Sequence, residues 1–162
     1  MTVGVNSYIS VEEADEIVRL LLRPYDELRV FWSVLDEGEK ESYLMRSAQQ
    51  IDTLVFTGRK SMIGQSMQFP RNAEMGVSDA VKQASVYNAL GLMNADIKAT
   101  ADKQLQLFKS LGVFKNLRLD QTSMRAIATA ENAAPEEVKI PIASSAAYGI
   151  LKKYMRGSFF IR

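Results

Sequence analysis

The sequence predicts a mainly α-helical protein: a compact bundle of about five helices with one long loop. Apolar residues recur at three- and four-residue steps in several segments, and helix-capping patterns stand before some of them. Alternation typical of strands is confined to one short stretch. With 162 residues, 47% hydrophobic and 24% charged, the chain has the size and composition of one globular domain. We therefore expect a helical domain over 1–156 and an extended tail over 157–162.

The first helix is marked by a capping box and a regular apolar face. Ser10 can cap the helix N-terminus while Glu13 reaches back to the backbone of Ser10. Because the residue before a proline disfavours helical backbone, we expect this helix over about 10–23, ending before Pro24. Its apolar face would consist of Ala14, Ile17, Val18, Leu21, Leu22 and Tyr25. A short second helix should follow, with Leu28, Phe31, Trp32 and Leu35 on one side.

Two longer helical segments follow. The clearest pattern covers about 37–55, and the residues of its apolar stripe are Leu44, Ala48, Ile51, Leu54 and Val55. Ser78 can cap the next helix, which we expect over about 78–95. A more polar helical stretch continues from about 96 to 111.

The pattern changes after residue 112. Residues 113–130 partly alternate, which predicts a small β-hairpin, although the alanine-rich part of 125–134 is equally compatible with a helix. Pro141 can open a last helix, and Gly157 is the expected C-terminal stop.

The segment 56–76 has three glycines, one proline and little periodicity, which predicts a long loop. Loops of this length in compact domains are usually functional. Its run from Gly58 to Gly64 is not a phosphate-binding P-loop, because Ile63 stands where the motif needs glycine and Gln65 follows Gly64. We expect a flexible basic loop that contacts a partner. Its three methionines (Met62, Met67 and Met75) suit an adaptable contact surface, with ordinary filling of gaps in the core as the alternative.

Composition favours binding or architecture over catalysis. The chain has no cysteine and no histidine, which excludes thiol chemistry and the commonest general base and metal ligand. The acidic cluster Asp36, Glu37, Glu39 and Glu41 lacks the frame of a calcium loop, and a charged helix start explains it best. We find no membrane-spanning or export segment and expect a cytoplasmic protein.

Charge is unevenly distributed although the net charge is only +1. Residues 1–45 hold ten acidic and four basic residues, whereas 139–162 hold five basic residues and no acidic one. Such a distribution lets copies attract each other head to tail, or lets each end meet a different partner. Two solvated helix faces with different composition would give the same pattern.

The C-terminal segment interleaves bases with apolar residues: Lys152, Lys153, Arg156, Phe159, Phe160, Ile161 and Arg162. Three functions remain open for it. It could bind single-stranded nucleic acid by phosphate attraction and base stacking, dock into a partner's groove, or pack back onto the core.

Several segments resemble, in order, the head–tail connector (adaptor) proteins of tailed bacteriophages, a group that includes proteins described as DnaT-like single-stranded-DNA-binding proteins. The similarity opens with Asn6-Ser-Tyr-Ile-Ser-Val-Glu-Glu-Ala-Asp15 and continues with the helix Lys40 to Asp52. The loop pieces Phe56-Thr-Gly-Arg-Lys60 and Gln65-Ser-Met-Gln-Phe-Pro-Arg71 follow, then Val81-Lys-Gln-Ala84 and Tyr154-Met-Arg-Gly157. The resemblance excludes about 95–138, and Phe69 stands where the family usually has tryptophan.

The resemblance implies a structural virion protein of the phage neck, without catalytic site or cofactor and without membrane contact. Copies would form a dodecameric ring on the phage portal protein, extend the DNA channel toward the next neck or tail-completion protein, and touch packaged DNA non-specifically. The alternative is a single-stranded-DNA-binding protein of DnaT-like type. The predicted portal-binding residues are Tyr154, Arg156, Phe159, Phe160, Ile161 and Arg162. The predicted neighbour or lumen contacts are Arg59, Lys60, Met62, Gln65 and Arg71.

Overall fold

The computed structural model of the protein describes residues 1–110 and 140–155, and its architecture there is mainly α, as predicted. Five helices are packed together, and the only β-pairings within the described residues are three isolated bridges. The predicted hairpin over 113–130 and the tail over 157–162 lie outside the described residues. The helices are α1 (Val11–Leu21), α2 (Glu27–Val34), α3 (Glu37–Asp52), α4 (Asp79–Ser110) and α5 (Ser145–Leu151), followed by a 3₁₀ turn (Lys152–Tyr154).

The chain divides into two compact units. The described part of the first unit is 1–95 with 140–155, and it holds the hydrophobic core; the described part of the second is 96–110. The two stretches predicted over 78–95 and 96–111 form the single helix α4. Neither glycine nor proline falls between residues 92 and 110, so nothing local ends the helix at the composition change.

Two capping boxes start α1 and α3. The Ser10 hydroxyl accepts a hydrogen bond from the Glu13 backbone N–H at 3.2 Å, and the Glu13 carboxylate accepts one from the Ser10 N–H at 3.4 Å. Asp36 and Glu39 repeat this arrangement at α3, with distances of 2.7 and 3.0 Å. The predicted capping box at Ser10 is confirmed, and the acidic cluster is indeed the charged start of a helix.

The core of the first unit forms where α3, α4, α5 and the loop 56–76 meet. Its buried side chains include Tyr8, Ala48, Ile51, Met67, Phe69, Val81, Ala84, Ile142, Ala147 and Leu151. Three residues predicted on apolar faces are exposed: Val55 (71%), Tyr25 (94%) and Phe31 (42%). Val55 and Tyr25 lie beyond the end of their helix, because α3 ends at Asp52 and α1 at Leu21, so the helical spacing no longer determines where they point. Phe31 lies within α2, whose only buried residue is Trp32.

A close approach between α4 and the segment before α5 depends on Gly91. A Cβ at this position would lie 2.9 Å from the Ala143 carbonyl oxygen and 3.0 Å from its carbon. Nearby, the buried Asn88 side chain donates to the Gln50 side chain at 3.0 Å and accepts from the Ser144 backbone N–H at 3.2 Å. These contacts place α5, and with it the 3₁₀ turn, against the core.

Candidate functional site

Two segments that the sequence separates by almost a hundred residues meet at one place. The Thr57 backbone N–H and hydroxyl both donate to the Tyr154 carbonyl oxygen, at 2.9 and 3.0 Å. Phe56 and Met155 form an antiparallel bridge beside them. We call the exposed residues around these contacts, in 56–60 and 152–155, the loop–turn junction.

An aromatic cluster lies beneath the loop–turn junction. The Phe69 ring packs edge-on against Phe56, Tyr154 and Tyr8, with centroid distances of 4.8, 5.2 and 5.9 Å. The Tyr154 hydroxyl also lies 3.0 Å from the Ser78 hydroxyl. Edge-to-face pairs of this kind stabilise beyond the area they bury. Tyr154, a predicted portal contact, therefore has its ring packed within this chain.

The guanidinium of Arg71 holds the loop together. Its Nε donates to the Thr57 carbonyl at 2.9 Å, and one terminal nitrogen donates to Gly58 at 2.6 Å and Phe56 at 3.3 Å. The other terminal nitrogen donates to the Gln68 carbonyl and side-chain oxygen, at 3.2 and 2.8 Å. Arg71 is only 7% exposed. The sequence suggested a neighbour or lumen contact for it, but the structure places it inside its own loop.

The loop is further closed by hydrogen bonds at its tip and base. The Lys60 ammonium donates to the carbonyls of Gln65 and Ser66, at 3.1 and 3.2 Å. The Gln65 amide donates to the carbonyls of Met67 and Pro70, at 2.9 and 3.0 Å. The segment predicted to be a flexible loop is thus internally ordered, and Gln65 and part of Lys60 serve its conformation.

Gly58 is required at the base of the loop. Its φ is +79°, and a Cβ there would lie 1.9 Å from the Asn72 side-chain oxygen. Asn72 in turn donates its backbone N–H to the Arg59 carbonyl at 2.8 Å and accepts from the Arg59 N–H at 3.2 Å. This pairing directs the chain of Arg59 away from the core.

The surface of the loop–turn junction is cationic. Arg59, Lys60, Lys152 and Lys153 are all exposed, and each lies within three residues of the Thr57–Tyr154 contact. No aspartate or glutamate occurs in 56–73 or in 152–155. The Lys153 ammonium lies 4.9 Å from the centroid of the Tyr154 ring. The structure therefore brings Arg59 and Lys60 of the predicted contact loop together with Lys152 and Lys153 of the basic C-terminal segment, which the sequence analysis treated separately.

The remaining predicted site residues have different placements. Met62 is 63% exposed, at the loop tip beside the fully exposed Ile63. Arg156, Phe159, Phe160, Ile161 and Arg162 lie outside the described residues, and their role stays a prediction. No helix in the described ranges is long and apolar enough to cross a membrane. Nor do residues 1–110 and 140–155 contain a group of side chains able to hold a metal ion.

A polar contact beneath the loop was missed by the sequence reasoning. The hydroxyl of the buried Tyr8 donates to the carboxylate of Asp52, and the Gln68 N–H lies 3.2 Å from that hydroxyl and 3.1 Å from the carboxylate. Burial, with the Asp52 contact second, raises the pKa of Tyr8 well above its ordinary value. No spacing rule joins residues 44 positions apart, so only the folded chain reveals this connection between the N-terminal segment and the loop.

One protein family matches most of the chain. Residues 1–113 match the model of the family described as "Putative DnaT-like ssDNA binding protein". The matched region contains α1 to α4 and the whole loop, and it ends before the 3₁₀ turn. The description refers to binding of single-stranded DNA, not to an enzymatic activity, and it does not mention a phage connector. No curated protein and no solved structure matches the chain.

Proposed function

The chain belongs to the family of DnaT-like single-stranded-DNA-binding proteins, and from this membership we propose that it binds single-stranded DNA through the loop–turn junction. The observation that carries the proposal is the group of four exposed cations (Arg59, Lys60, Lys152 and Lys153), which the fold brings together from two segments, 56–73 and 152–155, that contain no aspartate or glutamate. Three of the four have no hydrogen bond or ion pair through their charged groups within the described residues, so those groups are available to phosphate.

Binding of this kind rests on phosphate attraction and on release of the counterions that the phosphates hold. It needs no particular base, so we expect little sequence preference. Of the aromatic rings at the junction, Phe56 and Phe69 are buried, and Tyr154 is half-buried with its ring packed against Phe69. Met62 and Ile63 at the loop tip are the exposed apolar side chains of the loop that we expect to contact bases. Because the whole chain carries a net charge of only +1, the local cluster must supply the attraction.

The test is a salt titration of binding to a fluorescent oligothymidylate, followed by anisotropy. The variant is K152A/K153A, and the matched control is K98A/K103A, which removes the same charge from exposed positions of α4. We expect the first variant to lower affinity about tenfold and to make the log–log salt slope shallower by about 1.4, since each contact to a single strand contributes about 0.7. The control should change neither. Equal losses in both variants would contradict the loop–turn junction as the binding surface.

A second candidate function, a ring-forming head–tail connector, is favoured by the exposed apolar side chains. Ile63 and Met75 of the loop are fully exposed, and Val30 and Val34 on one face of α2 are 48% and 73% exposed. The loop is basic, whereas α2 lies in the acidic segment 1–45. A head-to-tail contact between two such surfaces is heterologous, and heterologous contacts close into rings when the rotation between copies allows it.

Under this second proposal the C-terminal segment from Tyr154 to Arg162 binds the portal protein, and the ring bears the next neck or tail-completion protein. Deleting 157–162 should abolish portal binding while the helical circular dichroism stays unchanged. Mass measurement of the pure protein, with and without portal protein, separates the two functions. A chain that stays monomeric in both samples yet binds oligothymidylate would leave only the first.

A further inference from the structure

An open pocket of about 330 Å³ lies where α1, α2 and α3 meet, away from the loop–turn junction in sequence and in its contacts. Its apolar lining comes from Val18 and Trp32, and its polar lining includes Asp15, Arg19, Arg29 and Lys40. The volume falls in the usual range of small-molecule sites, about 300–1,000 Å³. Neither the family description nor the proposed functions assign a role to it.

The charged residues that line the pocket are mainly basic, although the segment that forms it holds more acidic than basic residues. Residues 1–45 hold four bases, and three of them line the pocket: Arg19, Arg29 and Lys40. The same segment holds ten acids, of which only Asp15 lines it. Cations are therefore concentrated at one concave point of an otherwise acidic segment, which is the arrangement that a small anion requires.

Arg29 is fixed in place for such a contact. One of its terminal nitrogens donates to the carbonyls of Leu22 and Arg19 at 3.0 and 3.3 Å, where α1 ends. Within the described residues, its Nε and other terminal nitrogen have no partner. Two adjacent N–H donors of a guanidinium match two oxygens of one anion, and the bond to α1 means that little side-chain entropy is lost on binding.

Asp15 and Lys40, which also line the pocket, neutralise each other. The Lys40 ammonium lies 3.0 Å from both oxygens of Asp15, and the Trp32 ring nitrogen donates to the same carboxylate at 2.7 Å. Arg19 has only a loose, exposed ion pair with Glu16, at 3.8 Å. Arg19 and Arg29 thus supply the uncompensated charge of the pocket. Two such charges suit the dianion of a phosphate monoester, which carries about −1.5 to −2 near neutral pH, better than a single carboxylate.

We propose that this pocket binds the phosphate monoester of a nucleotide, with the phosphate held by Arg19 and Arg29. The nucleotide can be free or can form the 5′ end of a DNA strand; the phosphate chemistry is the same. In this proposal the base stacks on the ring of Tyr25, which is 94% exposed in the turn between α1 and α2, four residues before Arg29 along the chain, and does not itself line the pocket. This site does not depend on the loop–turn junction.

Calorimetric titration of the full chain with deoxythymidine monophosphate, thymidine, inorganic phosphate and acetate tests the class of ligand. We expect the monophosphate to bind and inorganic phosphate to compete with it. Thymidine and acetate should bind at least about tenfold more weakly, because thymidine has no anionic group for Arg19 and Arg29 and acetate carries only a single negative charge for the two of them. Equal affinity for thymidine and its monophosphate would overturn the proposal. Comparison of oligothymidylates with a 5′-phosphate and a 5′-hydroxyl then separates a strand end from a free nucleotide as the source.

Arg19→Gln is the variant of choice, because Arg19 is mostly exposed and its loss should leave the fold intact. Arg23→Gln removes the same charge from the same segment but does not line the pocket. We expect R19Q to weaken monophosphate binding about fivefold or more, while R23Q stays within about twofold. Arg29→Lys keeps the charge but loses the paired donors, and it should weaken binding as well. If R19Q and R23Q weaken binding equally, the pocket is not the site. K152A/K153A should leave monophosphate binding unchanged, so failure here and failure of the loop–turn junction are distinguishable.

Discussion

The N-terminal segment 6–15 and the loop–turn junction use their polar side chains in opposite ways. In 6–15, Tyr8 contacts Asp52, Ser10 and Glu13 cap α1, and Asp15 accepts from Trp32 and Lys40. At the loop–turn junction, Arg59, Lys152 and Lys153 are exposed to solvent, whereas the buried Arg71 beneath them donates its hydrogen bonds within the chain.

The residues of 6–15 that carry the resemblance are therefore different from the residues that we expect to bind DNA. Segment 6–15 opens the resemblance to the family, and its residues Tyr8, Ser10, Glu13 and Asp15 each stabilise a helix end or a contact between elements. Arg59 and Lys152, by contrast, have no hydrogen bond or ion pair through their charged groups within the described residues, so we expect that a chain can keep the family's fold while they change. Membership therefore predicts the fold directly, and the function only through side chains that must be tested one by one.

The largest expected effect comes from Arg71, the buried cation beneath the loop–turn junction. Arg71→Met keeps much of the side-chain volume but leaves the carbonyls of Phe56, Thr57 and Gly58 without their donor. We expect the free energy of unfolding to fall by about 3 kcal/mol, because the hydrogen bonds of a charged donor are lost and the buried Phe56 carbonyl is left unsatisfied, which alone costs about 1–3 kcal/mol. Urea denaturation measures it.

Arg59→Met is the control for that comparison, because it removes the same charge from an exposed position in the same loop. It should change stability by less than about 0.5 kcal/mol. If both substitutions cost the same, the loop is not held by the Arg71 hydrogen bonds, and the contrast between internal and exposed cations fails.

Arg71 also shows how far sequence reasoning reaches. The Ser10–Glu13 capping box and the stripe Leu44, Ala48 and Ile51 are local, because each partner lies within one or two turns, and the sequence predicts them correctly. The five hydrogen bonds of Arg71 and the Tyr8–Asp52 contact join distant segments, and no periodicity marks them. The prediction that Tyr25 and Val55 lie on apolar helix faces was wrong because the helical spacing of apolar residues continues in the sequence beyond the residue where each helix ends.

The candidate site divides in the same way. Basic residues in the loop and near the C-terminus could be predicted as two groups of contact residues. That Thr57 and Tyr154 join them, and that Gln65 and Arg71 face inward, depends on tertiary hydrogen bonds. The pocket beside Trp32 had no signal in the sequence, since Arg19, Arg29 and Lys40 are unremarkable surface bases until three helices meet.

The next effect concerns the approach of α4 to the segment before α5, which positions the turn 152–155. Gly91→Ala places a methyl group 2.9 Å from the Ala143 carbonyl oxygen. Relief requires a backbone shift, and we expect a loss of about 1–3 kcal/mol in thermal or urea unfolding. Oligothymidylate binding should weaken too, because the shift moves Lys152 and Lys153.

Gly149→Ala is the matched substitution in α5. A Cβ there would have nothing within 4 Å, and alanine favours helix over glycine. We expect a gain of about 0.5–1 kcal/mol and unchanged DNA affinity. A loss of stability at Gly149 equal to that at Gly91 would show that helical glycines are needed here for some reason other than the close approach.

Tyr8 gives a smaller effect with a distinct pH signature. Tyr8→Phe removes the hydroxyl that donates to Asp52, while the Gln68 N–H remains to bind the carboxylate. We expect the free energy of unfolding to fall by about 1–2 kcal/mol near neutral pH. DNA affinity should be unchanged under conditions in which the variant is fully folded.

The pH dependence follows from the raised pKa of Tyr8. Above its ordinary value of 10.0, the unfolded chain releases the tyrosine proton while the folded chain retains it. Stability then falls with rising pH, by up to about 1.4 kcal/mol per pH unit for this group. Urea unfolding between about pH 9 and 11 should show a shallower fall in Y8F than in the natural chain; identical slopes would mean that Tyr8 ionises freely.

The smallest effect belongs to the ion pair between Glu13 of the N-terminal segment and Lys82 of α4, whose charged atoms lie 2.6 Å apart. The hydrogen bond from Lys82 lowers the pKa of Glu13 below its ordinary value of 4.5. Because the Glu13 side chain is 46% exposed, we expect only about 0.5 kcal/mol from the pair. This contribution is present above pH 4.5 and is lost as the pH falls through the lowered pKa, since Glu13 is then protonated in the folded chain as well.

Lys82→Met tests the pair while leaving the capping box intact. The stability difference between natural chain and variant should be about 0.5 kcal/mol near pH 7 and approach zero near pH 3. Two further acidic residues, Glu16 and Asp79, line the same pocket as Lys82. Because low pH protonates these carboxylates as well as Glu13, a stability difference that persists at low pH would mean that Lys82 acts by packing rather than by charge. At neutral pH, K82M and K152A/K153A both remove positive charge from this unit. If the division between the two regions is correct, K82M lowers stability slightly and leaves the salt slope of DNA binding unchanged. K152A/K153A should instead leave stability unchanged and make that salt slope shallower.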